Sequence, residues 1–184
     1  THSKDLMASL VRGFRRPEEL RLGLEFEQFL TNAKGHPLPY AGPGGVEEIV
    51  KALGHRLGWT CTGEGDFVFG LQSSDGQQVT LEPGAQIELG TTPCLGIREL
   101  EAQVRPFQEA LESVVAEHGG QVLAVGTQPM AAPEDIKRLP KARYDILDPW
   151  LRDADELGLW MMRCTCGMQV NFDHTDAADA ARKL

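Results

Sequence analysis

Three short stretches carry side chains that would face a charged ligand together if the backbone there is extended. Glu25 and Glu27 stand two residues apart, Glu82, Gln86 and Glu88 follow at even spacing, and Gln169, Asn171 and Asp173 repeat the pattern near the other end. Successive side chains of a strand point to opposite faces, so residues two apart line up on one side. An all-oxygen cluster of that kind suits a hard divalent cation such as Mg²⁺, whose charge would offset the mutual repulsion of the acids. The same alternation also describes a half-buried antiparallel strand that turns a solvated face outward. Spacing alone leaves both readings open.

Other chemistries find less support. The chain has no Gly-x-x-x-x-Gly-Lys-Ser/Thr loop and no Gly-x-Gly-x-x-Gly fingerprint, so any ATP would be held through metal carboxylates. His55, His118 and His174 have no ligand-spaced partners and are expected at the surface. Cys164 and Cys166 are expected to be packing thiols, and with Cys61 and Cys94 they are too few and too scattered for a disulfide framework. With 27 acids against 18 Lys and Arg, the net charge of −9 excludes a general pull toward nucleic acid or an anionic membrane. No apolar run approaches the roughly 18 residues of a membrane span, and the first ten residues lack the regions of a signal peptide, so a cytoplasmic protein with reduced thiols is expected.

The elements that must position these groups follow from periodicity. Residues 1–20 read as an approach segment with a short helix at Leu6–Val11, and 21–184 as one catalytic domain cut short at its C-terminus. Leu22, Leu24, Phe26 and Leu30 mark the apolar side of a first strand. Pro37, Pro39 and Pro43 make a loop, and Val46, Ile49, Val50, Leu53 and Leu57 a helix with Glu47 and Glu48 in its first turn. Strands are predicted at Trp59–Cys61, Phe67–Leu71, Gln78–Leu81 and Gln86–Leu89, an antiparallel meander. Ile97, Leu100, Val104, Phe107, Leu111 and Val114 form the stripe of a long helix, with Pro106 expected to kink it and Gly119-Gly120 to stop it. A strand at Gln121–Gly126, a helix at Leu139–Leu151, a period-two stretch from Met161 to Phe172 and an Ala-rich helix opened by Asp176 and cut short at Leu184 complete an α+β order.

The residues themselves bear a further likeness. The run Leu22-Gly23-Leu24-Glu25-Phe26-Glu27-Gln28-Phe29, the segment Thr80-Leu81-Glu82-Pro83-Gly84-Ala85-Gln86-Ile87-Glu88-Leu89, the tripeptide Lys141-Ala142-Arg143 before Tyr144, and Met161-Met162 leading to Thr165-Cys166 and Gln169-Val170-Asn171-Phe172-Asp173 together resemble the plant and proteobacterial type of glutamate–cysteine ligase. The likeness runs in order from about Pro17 to Leu184 and ends in Asp176-Ala177-Ala178-Asp179, similar to the family's Glu-Ala-Asp helix. Two departures bear on substrate preference: Cys164-Thr165-Cys166-Gly167 stands where the family usually reads Arg-Thr-Cys-Thr, and Glu88-Leu89-Gly90-Thr91-Thr92-Pro93 where it reads Glu-Leu-Ser-Gly-Ala-Pro.

The resemblance implies a glutamine-synthetase-like fold, a largely antiparallel sheet with helices on one face that forms a funnel for Mg²⁺, ATP and L-glutamate. It also implies phosphorylation of the glutamate γ-carboxylate by ATP and attack of the L-cysteine amine on the resulting acyl phosphate, the first step of glutathione biosynthesis. Under it Glu25, Glu27, Glu82 and Glu88 are metal ligands, Gln86, Gln169 and Asn171 line the substrate and nucleotide funnel, and Arg143 pairs with a carboxylate or phosphate as a catalytic and substrate-binding residue. Family members are more than twice this length, so the chain is expected to hold about half a funnel and to show no turnover alone. The alternatives are a related carboxylate–amine ligase with a different amine acceptor, and a catalytically silent module that binds Mg²⁺ and an amino acid. A coding frame that continues past Leu184 with ligase-like sequence favours the enzyme.

Overall fold

Alternating side chains from Leu22 onward build the strand around which everything else is arranged. The computed structural model describes residues 3–183; Thr1, His2 and Leu184 lie outside them. After a helix α1 (Ser3–Arg12) and a 3₁₀ turn at Pro17–Glu19, strand β1 (Leu22–Asn32) leads to helix α2 (Val46–Leu57). The meander β2 (Thr60–Glu64), β3 (Phe67–Gln72), β4 (Gln78–Leu81) and β5 (Ile87–Gly90) follows, then helix α3 (Ile97–Glu117) and strand β6 (Gly120–Leu123). Helices α4 (Arg143–Ala154) and α5 (Gly158–Cys164), strand β7 (Met168–Phe172) and helix α6 (Ala177–Lys183) complete the order. All pairings are antiparallel, in the order β2-β3-β4-β5-β1-β6, with β7 also on β1. This is the α+β, largely antiparallel architecture expected.

One face of the sheet is a packed core. Leu71 lies opposite Val79, Val79 opposite Leu89 and Leu89 opposite Phe26, with Leu81 opposite Ile87 in the next row. Onto these rows α2 brings Val46, Ile49, Val50 and Leu53, all buried, and α3 brings Phe107, Leu111 and Val114. Helix α2 carries Glu47 and Glu48 at its positive end and His55 and Arg56 at its negative end, and it stops at Gly58, whose φ of 69° is the left-handed cap that glycine adopts freely. Helix α3 runs unbroken through Pro106.

Several boundaries differ from expectation for identifiable reasons. The stretch from Met161 to Cys164 is helical, because α5 buries Leu159, Met162 and Arg163 at helical spacing. The Arg163 guanidinium donates to the Pro133 and Ile136 carbonyls at 3.0 Å and pairs with Asp148 of α4, which pins α5 in place. Period two therefore begins only at Met168. Helix α4 starts at Arg143 rather than Leu139, since the buried Leu139 is held extended by its N–H to the Pro83 carbonyl at 2.9 Å. The α3 stripe packs as predicted at Phe107, Leu111 and Val114, but Ile97 at its start is 75% exposed. His118 caps α3 through Nδ1 against the Val114 carbonyl, and His174 sets its ring edge on Phe14, so only His55 of the three is fully at the surface.

Candidate active site

The opposite face of the sheet collects the polar residues in register. Thr80 of β4 lies across from Glu88 of β5, and Glu88 across from Glu27 of β1. The neighbouring row runs Gln72, Gln78, Gly90, Glu25 and Gln169 through five strands. Asn171 stands opposite Gly23, and Glu82, two residues beyond Thr80, extends the same face past the end of β4. Antiparallel pairing thus brings three sequence-distant segments onto one surface, as the alternation required.

Three of the four acids on this face accept a hydrogen bond, each from a different donor. Glu27 Oε2 accepts the Gly167 N–H at 2.6 Å, Glu25 Oε1 accepts from the Asn171 amide at 3.1 Å, and Glu88 Oε1 accepts from the Thr80 hydroxyl at 2.8 Å. Glu82, half-buried, faces the charges of Lys141 and Arg143. Burial, reinforced by the charge of Glu27, raises the Glu82 carboxyl above its ordinary range, although Lys141 and Arg143 pull it down. Burial also raises Glu88, the Thr80 hydroxyl opposes the rise, and the charges of Glu82, Glu27 and Glu25 add to it. The four acids therefore share one electrostatic environment. They do not form a ready-made cage: among the described residues no group of three or more His, Cys, Asp or Glu side chains is spaced to hold a metal ion. Glu25, Glu27 and Glu88 are each committed to a separate donor, and sequence spacing carries no information about that.

Two small cavities open on this face. One of 230 Å³ is walled by Glu25, Gln78, Thr80, Glu88, Thr91 and Asn171, the other of 180 Å³ by Glu27, Glu82, Gln86, Met161, Met162 and Thr165. Gln86 is not a free lining group. It is 2% exposed, its Oε1 accepts the Gly84 N–H at 2.8 Å and its Nε2 donates to the Thr165 carbonyl at 2.9 Å, so it clamps the β4–β5 turn to the segment after α5. Gly84 permits that approach, since a Cβ there would lie 2.6 Å from the Arg163 carbonyl oxygen. Gln169 and Asn171 are exposed on the face and lie within 3.4 Å of each other. Asp173 instead anchors the start of β1, accepting the Arg21 N–H at 3.1 Å.

The family model for glutamate–cysteine ligase family 2 matches residues 21–184. The chain belongs to that family. Over 182 residues it is 35% identical to the chloroplastic glutamate–cysteine ligase of Brassica juncea, covering 98% of this chain and 35% of the relative. The Arabidopsis thaliana enzyme is 34% identical over 98% of this chain and 34% of its own length, and chloroplastic ligase B of Oryza sativa subsp. japonica 35% identical over 98% and 36%. The chain spans about a third of the length of these curated relatives.

Within this ligase-family frame, the structure adds residues to which sequence reasoning gave no role. Lys141 Nζ donates to the Leu81 carbonyl at 2.8 Å and sits 5.1 Å from the centre of the Phe69 ring, beside Glu82. Burial lowers its ammonium below the ordinary lysine range, helped by Arg143 and opposed by Glu82, Glu64 and Glu88. Arg143, exposed, stacks 4.8 Å over the Tyr144 ring and donates to its hydroxyl at 2.7 Å. The signal for Lys141 was its place in the Lys-Ala-Arg tripeptide. Thr80 and Gln78 were legible from the alternation that marked Glu82. Cys164 and Cys166 behave as packing groups: burial pushes the Cys164 thiol up to about 11, and burial with Glu27 and Glu82 pushes Cys166 upward as well, which suppresses thiolate chemistry.

Proposed function

We propose that the chain is the N-terminal, funnel-bearing portion of an ATP- and Mg²⁺-dependent ligase that joins the γ-carboxylate of L-glutamate to the amino group of L-cysteine, the first step of glutathione biosynthesis. The observation that carries this reading is the set of in-register polar rows on the sheet face opposite α2 and α3, in a chain of this family. In the proposed reaction the γ-carboxylate takes the terminal phosphoryl group of ATP; the amine nitrogen then attacks the acyl carbon, loses a proton and releases phosphate.

The donor set fits a hard cation. Glu25, Glu27, Glu82 and Glu88 offer only oxygen, and burial first and mutual repulsion second raise Glu82 and Glu88, both costs of charge that a divalent ion would offset. These four would hold Mg²⁺, which when bound neutralises charge developing in phosphoryl transfer. Arg143 presents a planar fork to a carboxylate or phosphate, steadied by the Tyr144 hydroxyl. Asn171 and Gln169 orient polar substrate atoms beside Glu25. Gln86 keeps the wall closed rather than touching substrate.

The test is ATP-, glutamate- and cysteine-dependent phosphate release and dipeptide formation by the full-length ligase carrying this region. Loss of both in Glu88→Gln with retained folding supports the reading, and turnover at the parent rate overturns the ligand role. A second reading, a ligase for a different amine, draws on Thr91, which departs from the family pattern, lines the 230 Å³ cavity and accepts the Leu24 N–H at 2.9 Å. A panel of amine acceptors separates the two readings, and absence of phosphate release with every amine would favour a silent binding module. The partners proposed are thus small molecules, and the excess of acids argues against nucleic acid or an anionic membrane surface. Among the described residues no helix is long and apolar enough to cross a membrane. Cytoplasmic placement is part of the proposal, supported by four cysteines that stand as free thiols and tested by cell fractionation.

A further inference from the structure

Arg163, the penultimate residue of α5, is a cation with almost no solvent around it, 8% exposed and lining neither cavity of the polar face. Its guanidinium donates at 3.0 Å to the carbonyls of Pro133 and Ile136 and pairs with Asp148 of α4. Each of those segments runs on to a candidate site residue. The chain beyond Ile136 reaches Leu139, whose N–H donates to the Pro83 carbonyl at 2.9 Å, and Lys141, whose ammonium donates to the Leu81 carbonyl at 2.8 Å, so Glu82 is held from both sides. Helix α4 begins at Arg143 and carries Asp148 further along. Helix α5 leads into Thr165, whose carbonyl takes the Gln86 amide, and Gly167, whose N–H donates to Glu27 Oε2. One buried side chain therefore joins the three pieces of backbone that flank Glu82, carry Arg143 and reach Glu27.

Stability does not account for a charge in that place. Taking a guanidinium and a carboxylate out of water costs about what their attraction returns, and Arg163 Nε is shut off from solvent without a partner. Helices α4 and α5 meet closely in any case at Gly158, where a Cβ would lie 2.3 Å from the Leu151 carbonyl oxygen. Apolar side chains of similar volume would fill the seam at little cost in global stability. They would not fix direction, which the planar fork of a guanidinium does through several hydrogen bonds at once. We infer that Arg163 is a positioning residue of the ligase: by joining Pro133, Ile136 and Asp148 it sets Arg143, Glu82 and Glu27 in one relative geometry without touching substrate. This role rests on the ligase reading of those three residues.

The experiment compares the full-length ligase with its Asp148→Leu/Arg163→Met double variant, which removes both charges together, and reads amide hydrogen exchange alongside steady-state kinetics. With the urea midpoint near that of the parent, exchange over residues 137–143 and 164–168 should be at least about tenfold faster while β4, β5 and α3 keep the parent's protection. The glutamate KM and the Mg²⁺ concentration for half-maximal rate should each rise about tenfold with kcat within about threefold, because saturating ligands draw the displaced groups back together. Parent-like exchange and KM values in the folded variant overturn the inference. A lowered urea midpoint with unchanged KM values overturns it as well, since Arg163 then serves stability alone. Should the parent release no phosphate with any amine, the ligase reading falls, and exchange over the two stretches still decides whether Arg163 positions them. If the double variant does not fold, Arg163→Lys decides: an ammonium lacks the fork that spans all three acceptors, so the same changes of at least about threefold are required.

Discussion

The two faces of the central strands share one backbone and obey opposite rules. On the α2–α3 side, Val79, Leu89 and Phe26 stack in a row with almost no solvent left around Val79 and Leu89; on the other, the adjacent row of Thr80, Glu88 and Glu27 keeps charged groups half-buried and mutually repelling. The first row is stabilised by removing apolar surface from water. The second gives up stability to hold charge in place, which is how sites are commonly built. A period of two lets a single strand do both, because a substitution on one face does not alter the face behind it. Changes on the polar face should therefore move chemistry, and changes on the apolar face should move folding.

The largest separation is expected from Glu88→Gln in the full-length ligase. Gln keeps the shape and an acceptor for the Thr80 hydroxyl but removes the charge, so ligation should be abolished while the urea midpoint stays near that of the parent. On the other face, Leu111→Ala should cost about 2–5 kcal/mol in denaturant unfolding, as for a fully buried leucine truncated to leave a cavity. A loss well under that range would mean the core row is less rigid than its burial implies. Gly84→Ala tests the seam between the faces: the new Cβ must displace the Arg163 carbonyl, so a cost of about 1–3 kcal/mol is expected together with a raised KM.

The smallest effect is a contrast in pH dependence. Asp179 is held down to about 2 by Lys183 and the Thr175 N–H, so its contribution to stability is present above the ordinary aspartate range and fades as pH falls toward 2. Glu82 and Glu88 have the opposite sign: their raised pKa values mean that the fold binds protons more readily than the unfolded chain, and stability falls as pH rises from the ordinary glutamate range through the raised values. Asp179→Asn should therefore flatten the acid limb of a stability profile, and Glu82→Gln should flatten the fall above it. Thermal melts across pH 2–8, about the whole carboxylate range and beyond, check both.

Local periodicity made much of this molecule legible. Helix α2 came out at the predicted residues, β4 likewise, and β1, β3 and β5 within a residue or two, because a 3.6 or 2.0 repeat in apolar residues is set by the backbone geometry of the element itself. The polar faces of β1, β5 and β7 were legible for the same reason. The stretch from Met161 to Cys164 was not, since its helical form depends on Arg163 finding carbonyls at Pro133 and Ile136 and the carboxylate of Asp148. The clamp that Gln86 makes was not legible either, because the Thr165 carbonyl that claims its amide lies 79 positions away in the chain.

By itself the sequence determined which residues alternate, where helices cap and stop, and which family the motifs resemble, all properties of short contiguous stretches. Tertiary structure alone decided that Glu27 faces Glu88 and Glu25 faces Gln169, that Lys141 lies under the Leu81 carbonyl beside Glu82, and that Glu25, Glu27 and Glu88 each accept from a separate donor. The physical reason is that strand register, burial and electrostatic coupling are set by contacts between segments far apart in the chain, whose free energies no local window contains.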